Sequence, residues 1–415
     1  MRILHVNKFL YRRGGAESYM LDVAELQRAR GDEVEFFGMQ HPDNRACRYE
    51  RWFPPRVDFD PPPSSFTGKV RGVGRMLWSP AAARGIRAVL EDFQPDVVHL
   101  HNIYHQLSPS ILDPIRRAGV PAVMTLHDYK LACPTYRFLD HGRVCEACVP
   151  RRFWNAPLRR CNRGSWAASA VSGLELGLHT LLGAYGAVRL FACPSRFLQE
   201  KMRSARVYPD RLRWVPNFVD VRDVRPKEEP GGGVLYAGRL SHEKGVDVLI
   251  EAAAARPALR IEIAGDGPER GALERLALAR GVSDRVRFHG RIDPARLAEI
   301  RRRSAVVAVP SRWYENMPLV VLEAFAAGLP VVATGLGGLP ELIEPGRDGA
   351  CVPPNDAAAL GAALEEMVAA PARTFAMGRV AREKAERMFA PDLHLERLDA
   401  LYAEAADLAR RERVG

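Results

Sequence analysis

The sequence predicts an α/β protein of two domains, each built around a parallel β-sheet. Both halves of the 415-residue chain alternate short apolar segments with helical stretches, which is typical of parallel sheets with helical crossovers. A segment rich in Pro, Gly and charged residues, 221–233, lies between the halves and is the best candidate for a linker. A chain of this length is expected to form two hydrophobic cores.

Short apolar runs mark the predicted strands. In the first half these runs are Arg2–Val6, Glu33–Gly38, Val97–Leu100, Ala122–Leu126, Leu190–Cys193 and Leu212–Val215. In the second half they are Val234–Ala237, Arg260–Ala264, Val286–His289, Val306–Val309 and Val331–Ala333. The last 25 residues, 391–415, have a helical pattern. The order of elements predicts two βα-type units of similar layout.

Composition indicates an ordinary globular protein, with 47% hydrophobic and 27% charged residues. No run of about 18 apolar residues occurs, so no membrane-spanning helix is expected. The first residues, MRILHVN, form a predicted strand and lack the long apolar segment of a signal peptide. We therefore expect a cytoplasmic protein.

The net charge of +10 is concentrated in the first half, where residues 1–215 carry 32 basic and 20 acidic side chains. Residues 66–87 contain five basic residues and no acid, and 143–163 contain six Arg against one Glu. Such one-sided charge suggests an anionic partner. Lipid headgroups are one hypothesis, with Phe66, Met76, Leu77 and Trp78 as apolar contacts. The alternative is a solvated Arg-rich face, and no nucleic-acid motif is present.

Two glutamates eight positions apart, Glu315 and Glu323, mark the most informative segment, 311–332. An apolar run predicts a buried helix over 318–327, with Pro318 in its first turn, where a missing N–H costs nothing. Free N–H groups at a helix start bind anions, and carboxylates bind hydroxyl groups. Along the chain the segment thus offers a carboxylate for hydroxyl groups, a helix start for phosphate and a second carboxylate. A nucleotide sugar has hydroxyl groups, phosphates and further hydroxyl groups in the same order. Glu323 is either partly exposed or buried with a partner.

A second motif, YAGRLSHEKG at 236–245, closes the first strand of the second half. Arg239 and Lys244 are suited to phosphate oxygens, since Arg offers a planar fork of donors and Lys a point charge. Such cations can neutralise a diphosphate as its bond to a sugar breaks. The alternative is an unremarkable surface pair near a turn.

Two further motifs follow strands of the first half. Gly14 and Gly15 precede a helix and allow close approach of a phosphate, although a plain turn is the alternative. His127 and Asp128 end the fourth strand, and α/β proteins bind ligands at the carboxyl ends of their strands. The alternative is that His127 only caps the strand. A segment ending the preceding strand adds weaker acceptor-site candidates, namely His101, Asn102 and His105.

Together these motifs resemble the retaining glycosyltransferases of family 4, bacterial surface-polysaccharide enzymes among them, which have the GT-B fold of two Rossmann-like domains facing across a cleft. The resemblance covers nearly the whole chain. Its hallmark is two Glu separated by seven residues, and Asn316 follows the first where many members have Gly. It implies an acceptor domain over 1–222, a donor domain over 223–390, and a final helix, 391–415, that packs back on the first domain.

The resemblance also implies roles for single residues. Glu315 would bind the sugar hydroxyls and Glu323 the ribose, while Arg239 and Lys244 stabilise the leaving diphosphate and His127 donates hydrogen bonds to the sugar. Gly14, Gly15 and Asp128 would complete the site from the first domain. The remaining donor contacts would be Gly265, Gly267, His289, Asn316, Met317, Pro318 and Leu319. Phe218 stands where members usually have Gly, so the conformation of that turn is open.

Four of the seven cysteines cluster in a loop-rich insertion, about 131–165: Cys133, Cys145, Cys148 and Cys161. A Cys-x-x-Cys pair flanked by single cysteines has the spacing of zinc ligands. Structural zinc is the first hypothesis, and reduced thiols, an iron–sulfur cluster or a redox pair are the alternatives. Disulfides are not expected in the cytoplasm.

We therefore predict an enzyme that moves a sugar from a nucleotide diphosphate donor, UDP- or GDP-linked, to a hydroxyl with retained configuration. The acceptor is predicted to be a glycan, in the form of a lipid-linked oligosaccharide at the inner membrane face. None of these motifs contains an Asp-x-Asp triplet, so catalysis is expected to need no metal cofactor. The alternatives are a non-hydrolysing nucleotide-sugar epimerase and a non-catalytic partner subunit of the same fold.

Overall fold

A computed structural model describes residues 1–58, 66–222 and 224–414. The chain divides into two compact units. The first unit comprises Met1–Arg137, Glu146–Val215 and Leu395–Gly415, and the second comprises Phe138–Cys145 and Pro216–His394. The division between the main segments thus falls at Val215/Pro216, just before the predicted linker.

The described residues form two six-stranded sheets and one hairpin. In chain order the strands are β1 Arg2–Val6, β2 Glu33–Phe37, β3 Val97–Leu100, β4 Ala122–Thr125, β5 Leu139–Asp140, β6 Arg143–Val144, β7 Leu190–Cys193, β8 Leu212–Trp214, β9 Val234–Ala237, β10 Ile261–Ala264, β11 Val286–Gly290, β12 Val306–Val309, β13 Val331–Thr334 and β14 Gly349–Val352. Every strand predicted from the sequence is present within about one residue at either end.

Helices connect these strands. They are α1 Gly15–Ala29, α2 Phe66–Leu77, α3 Pro80–Phe93, α4 Leu112–Ala118, α5 Asn155–Arg159, α6 Trp166–Leu181, α7 Arg196–Ser204, α8 Val246–Ala255, α9 Arg270–Ala279, α10 Pro294–Arg303, α11 Leu319–Ala326, α12 Leu339–Leu342, α13 Ala357–Ala369, α14 Pro371–Met388 and α15 Pro391–Val414. Polar caps fix several starts: the Ser79 hydroxyl accepts from the Ala82 N–H ahead of Pro80 in α3, an arrangement favoured at helix N-termini.

The first sheet has the order β2-β1-β3-β4-β7-β8, and all of its pairs are parallel. Strands β3, β4 and β7 are buried along their whole length, as expected when helices cover both faces of a parallel sheet. Helix α15 supplies part of this core, since Leu398, Leu401 and Tyr402 are buried. The carboxyl ends of β1, β3 and β4 therefore lie side by side.

The second sheet has the order β11-β10-β9-β12-β13-β14 and is also parallel. Its central strands pack under an apolar core on each face. Edge strand β14 and hairpin β5–β6 were not predicted. Strand β14 (GACV) is half-buried at its centre, with a Gly and a Cys in place of β-branched residues, so its sequence carries little strand signal.

Candidate functional site

The predicted donor motifs of the second unit are brought together by the sheet. The loops after β9, β10, β12 and β13 all leave the same edge, because parallel strands share one carboxyl end. Main-chain hydrogen bonds join them: the Leu240 N–H donates to the Asp266 carbonyl at 2.9 Å, and the Gly338 N–H donates to the Glu315 carbonyl at 2.7 Å. The edge is therefore a packed set of loops.

Glycine is required where these loops touch. Gly245 has φ of +67°, and a Cβ there would lie 2.1 Å from the Pro310 carbonyl oxygen. Gly265 has φ of +145°, and its Cβ would lie 1.8 Å from the Gly238 oxygen. Both the backbone angle and the space exclude a side chain. A Cβ on Gly267 would likewise meet the Leu240 oxygen, at 2.2 Å, so Gly265 and Gly267 hold the loops together.

Lys244 and Glu315 form the ion pair at the centre of this edge. Lys244 Nζ donates to Glu315 Oε1 at 2.7 Å, and the Ser311 hydroxyl donates to the same oxygen at 2.6 Å. Burial would raise the pKa of Glu315, but Lys244 and the Ser311 hydrogen bond outweigh it and leave that pKa below its ordinary value. Glu315 is thus a buried carboxylate at neutral pH with one oxygen engaged by a cation.

Arg239 lies in the same loop as Lys244 and is exposed. Its carbonyl oxygen accepts from the Tyr236 hydroxyl at 2.8 Å, which fixes the backbone of the loop. Its guanidinium forms no ion pair with any residue in the described ranges. The loop after β9 therefore carries Lys244, which is paired with Glu315, and Arg239, whose guanidinium is accessible to an anion.

Arg312 organises this edge and was not predicted. It is 7% exposed, and its guanidinium donates to the His242 carbonyl, to Asp247 at 2.8 Å and to Asn355 at 2.9 Å. Its own N–H donates to the Glu243 carbonyl. Arg312 thereby ties the loop after β12 to the loop that carries Arg239 and Lys244. Its sequence neighbours give no hint of this role, since its partners are 43 to 70 residues away.

The predicted helix after Glu315 is α11, Leu319–Ala326, and Pro318 precedes its first residue as the cap. Asn316, Pro318 and Leu319 are half-buried at its start. Glu323 is 40% exposed and forms an ion pair with Arg301 of α10. The sequence allowed Glu323 to be either partly exposed or buried with a partner. In the structure it is partly exposed and also has a partner.

Met317 and His289 have defined surroundings too. The Asn217 side-chain amide donates to the Met317 carbonyl at 2.9 Å, so the Pro-Asn motif at 216–217 supports the start of α11. Phe218, the departure from the family pattern, is buried against the His394 ring. His289 at the end of β11 is hydrogen-bonded to Glu262 of β10, a partner that the sequence did not indicate.

In the first unit, Gly14 and Gly15 are exposed at the start of α1, with Gly14 as its cap. Gly14 is extended there, at φ of −161°, so other residues could adopt its backbone. The amino end of α1 is thus accessible to solvent, and the binding of phosphate there stays a prediction.

His127 is one end of a line of buried histidines. His127 Nε2 lies 3.0 Å from His101 Nδ1, and His101 Nε2 lies 3.0 Å from His5 Nδ1. His5 Nε2 in turn lies 2.8 Å from the amide oxygen of Gln27 in α1. Burial lowers the pKa of His5 to about 4 and of His127 to about 3, and it lowers the pKa of His101 as well. All three rings are therefore neutral at pH 7.

Because the rings are neutral, the donor and the acceptor of each hydrogen bond in this line can be assigned. Each neutral imidazole has one donor and one acceptor nitrogen. With the Gln27 oxygen accepting from His5 Nε2, His101 donates to His5 and His127 Nε2 donates to His101. His127 Nδ1 is then an acceptor, whereas the family resemblance implies a donor at this position. His101 is fully buried and contacts His127, and its role as an acceptor-site residue stays a prediction.

The line continues on the other side of Gln27. Its amide nitrogen donates to the Tyr402 hydroxyl of α15 at 3.1 Å, and that oxygen lies 2.7 Å from His99 Nδ1. His99 Nε2 lies 2.8 Å from the Thr125 hydroxyl. Among described residues, His5, His99 and His101 are also the group whose ring nitrogens lie within 4.8 Å of one another. These nitrogens already face protein partners, so hydrogen bonding explains the cluster without a metal.

A buried ion pair lies beside this line. Lys130 Nζ donates to Glu175 of α6 at 2.7 Å, and His105 Nε2 lies 3.2 Å from the same carboxylate. Burial would raise the pKa of Glu175, but Lys130 and His105 lower it to about 2. The Asp128 carboxylate accepts from the Lys130 N–H at 2.9 Å, so it orders the turn after β4.

The four cysteines of the insertion fall in both units. Cys145 follows hairpin β5–β6 in the second unit, while Cys133, Cys148 and Cys161 belong to the first. Cys148 is buried with Phe153, Ala156 and Leu176, and Cys161 packs against that cluster. The zinc site stays a prediction, to be decided by metal analysis of the purified protein. None of the helices formed by the described residues has the length and apolar character needed to cross a membrane.

Comparisons with known proteins match this architecture. Residues 13–223 match the family model Glycosyltransferase Family 4, and residues 220–384 match the model Glycosyl transferases group 1. The chain is 30% identical over 398 residues to a D-inositol 3-phosphate glycosyltransferase of Arthrobacter sp. (strain FB24), covering 89% of this chain and 85% of that protein. Several other curated relatives match over shorter stretches, and the chain spans 22% to 40% of their lengths.

Solved structures are similar over nearly the full length. Sucrose-phosphate synthase from Thermosynechococcus elongatus superposes with a TM-score of 0.73 at 21% identity, covering 97% of this chain and 98% of that one. HepE of Anabaena in complex with UDP superposes with a TM-score of 0.66 at 19% identity, covering 97% and 100%. With two parallel sheets flanked by helices, these likenesses establish the two-domain GT-B fold.

Proposed function

Since the chain belongs to the glycosyltransferases of family 4, we propose that it transfers a sugar from a nucleotide diphosphate donor to a hydroxyl group, with retention of configuration. The second unit would bind the donor and the first unit the acceptor. The observation that carries the proposal is the Lys244–Glu315 pair of 2.7 Å beside exposed Arg239. It puts a carboxylate for hydroxyl groups next to cations for phosphates on one sheet edge.

The diphosphate would bind Arg239, Lys244 and the first N–H groups of α11. A helix start favours anions through its free donors and its dipole. Charge accumulates on the diphosphate as its bond to the sugar breaks, so cations fixed beside it stabilise the transition state more than the ground state. The packed glycines at 245 and 265 hold the loop backbone in place, which keeps these groups preorganised.

The two glutamates would bind different hydroxyl groups. Glu315 is buried and ionised, and its second oxygen can accept from a sugar hydroxyl while Lys244 and Ser311 hold the first. Glu323 is more exposed than Glu315 and is paired with the largely buried Arg301 of α10, which suits the ribose of the nucleotide. His127 would accept from a sugar or acceptor hydroxyl through Nδ1.

Retention would follow from departure and return on the same face of the sugar. A double displacement needs a carboxylate nucleophile, and Glu315 has one oxygen engaged by both Lys244 and Ser311. None of the donor-site motifs contains an Asp-x-Asp triplet, which supports catalysis without a metal cofactor. UDP is the first donor nucleotide to test, because HepE, which is similar in fold, is described in complex with UDP.

The acceptor would be a glycan, and a lipid-linked oligosaccharide at the inner membrane face is the form we favour. The support is the excess of basic residues in the first half of the chain. The fold alone leaves the sugar unspecified, because proteins of one fold differ in the residues of their sites.

A nucleotide-release assay tests the proposal. Purified protein is incubated with UDP-, GDP-, ADP- and dTDP-sugars in EDTA without acceptor, beside Glu323→Ala and the control Glu366→Ala, an exposed Glu of α13. We expect slow release of one nucleotide by the wild type and the control, and weaker donor binding by Glu323→Ala. Interconversion of the sugar would indicate the epimerase. Failure to bind any nucleotide sugar in calorimetry would reject the proposal.

A further inference from the structure

Helix α6 carries an apolar stripe that faces solvent. Trp166, Leu174, Leu181 and Leu182, at its start, middle and end, are 60%, 64%, 83% and 68% exposed. Their spacing of seven or eight residues places them on one side of the helix. Within 164–188 the one charged residue in the sequence is Glu175, and it is buried. The outward face of α6 is therefore apolar throughout.

The opposite face of α6 is fixed to the first unit. Glu175 is bonded to Lys130 at 2.7 Å, and His179 Nε2 lies 2.9 Å from the Leu77 carbonyl at the end of α2. Leu176 is buried with Phe153 and Ala156. Because these contacts hold the helix in one rotation, the exposure of the apolar stripe is a property of the folded unit.

Neighbouring elements extend this surface, which we call the α6 face. Trp154 and Leu158 on or before α5 are 63% and 73% exposed, and Val70 and Trp78, in α2 and just after it, are 57% and 51% exposed. Eight large apolar side chains thus stand exposed on three adjoining elements. Helices α5 and α2 both contact α6, so these side chains lie on packed neighbours. Clusters of exposed apolar side chains are typical of interaction sites.

The segments that carry the α6 face have charges of one sign. Between Glu146 and Glu175 the sequence contains five arginines and no acidic residue. All five are exposed: Arg151, Arg152, Arg159, Arg160 and Arg163. In α2, Arg71 is exposed next to Val70, and no acid occurs in 66–79. The occupant must therefore combine an apolar interior with negative charge at its edge.

We propose that the α6 face docks on an anionic lipid bilayer, with the leucines and tryptophans in the acyl boundary and the arginines at the headgroups. Tryptophan favours the interface between lipid and water, and basic side chains are attracted to anionic lipids. A second copy of this chain fits less well, because its arginines would face arginines across a two-fold contact. The inference goes beyond sugar transfer and does not depend on the donor assignment.

The surface differs from the one that the sequence suggested. Met76 is 7% exposed and is therefore part of the core of the first unit. The side chain of Phe66 lies outside the described residues. Of the eight exposed side chains of the α6 face, the sequence predicted only Trp78 as a lipid contact. Most of the α6 face lies on α5 and α6. The cysteine-containing insertion thus contributes the arginines and Trp154.

Vesicle sedimentation tests the proposal. The full chain is mixed with phosphatidylglycerol–phosphatidylcholine vesicles and with pure phosphatidylcholine vesicles. We expect binding to the anionic vesicles that weakens with salt. Replacing Leu174 and Leu181 by Gln should weaken binding roughly tenfold or more, since insertion of each leucine is lost. Arg159→Gln and Arg160→Gln should each weaken it by roughly fivefold.

The matched control is Leu278→Gln, which alters a leucine 73% exposed on α9 of the second unit. It should bind vesicles as the wild type does. Equal binding to neutral vesicles, or equal loss in the control, would overturn the proposal. Absence of vesicle binding, together with a dimer that Leu174→Gln and Leu181→Gln dissociate in light scattering, would assign the face to a second copy instead. Nucleotide release without acceptor should be unchanged in all these variants.

Discussion

Polar side chains gather at the strand ends of both units, but the two sets differ in charge. In the first unit, His5, His99 and His101 are fully buried. His5 and His101 are neutral and hydrogen-bonded to each other, and His99 is bonded to the Tyr402 hydroxyl. In the second unit, the strand ends carry ions, with Lys244 and Glu315 paired and Arg239 exposed. A neutral network suits hydroxyl groups, while fixed ions suit a ligand whose charge changes during reaction.

The difference has an energetic basis. Neutral polar groups can be buried cheaply when every donor meets an acceptor. Buried ions cost several kcal/mol each unless a partner offsets the loss of water. The second unit limits that cost by leaving Arg239 in solvent and by pairing Glu315. The first unit also buries charged groups, Glu17 and the Lys130–Glu175 pair among them, and that pair is the most direct test of this contrast.

The largest effect is expected from Glu175→Gln. The change leaves Lys130 buried without its counter-ion, and the free energy of unfolding should fall by about 3–5 kcal/mol. The control Glu200→Gln removes an exposed pair with Arg203 and should cost less than about 1 kcal/mol. Urea unfolding at pH 7 measures both. Equal losses in the two variants would contradict the buried pair.

The same pair predicts a dependence on pH. The folded pKa of Glu175 is about 2, below its ordinary value of 4.5. Its stabilisation is therefore complete above pH of about 4.5 and is lost as the pH falls toward 2. The wild type should lose more stability than Glu175→Gln over that range.

Arg239→Ala tests the charged strand ends of the second unit. Turnover should fall by roughly 10² or more, because the change removes the charge that we propose stabilises the leaving diphosphate. Arg239→Lys should retain part of the activity, since it keeps the charge but loses the fork. Arg302→Ala changes an exposed arginine of α10 and should behave as wild type. Near-normal turnover of Arg239→Ala would contradict the proposal that Arg239 binds the diphosphate.

Gln27→Met tests the neutral network with the smallest expected effect. The change removes the acceptor that orders His5, His101 and His127, so turnover should fall by about tenfold while the KM for the donor stays the same. Nitrogen NMR of the imidazoles should show His127 protonated on Nε2 in the wild type and a mixture in Gln27→Met. Tyr402→Phe keeps the Gln27–His5 bond and controls for lost stability. A wild-type His127 protonated on Nδ1 would contradict the direction of the line.

Much of the second site could be predicted because its signals are local. Apolar periodicity indicated the strands, and the Gly-rich loop with Arg239 and Lys244 follows its strand directly. The first site depends on long-range pairing: Gln27 and Tyr402 are 375 residues apart, and no local pattern connects them. Glu175 could have been found, since it is a lone charge in an apolar helix, which is the argument applied to Glu323. Edge strand β14 gave no such signal, because Gly and Cys replace strand formers there.

The position of Tyr402 has a consequence for synthesis of the protein. Its hydroxyl joins Gln27 to His99 within the first sheet, yet it is encoded near the end of the chain. A ribosome therefore completes the second unit before the first has all of its core. Until α15 emerges, the nascent first unit lacks the hydroxyl that bridges Gln27 and His99.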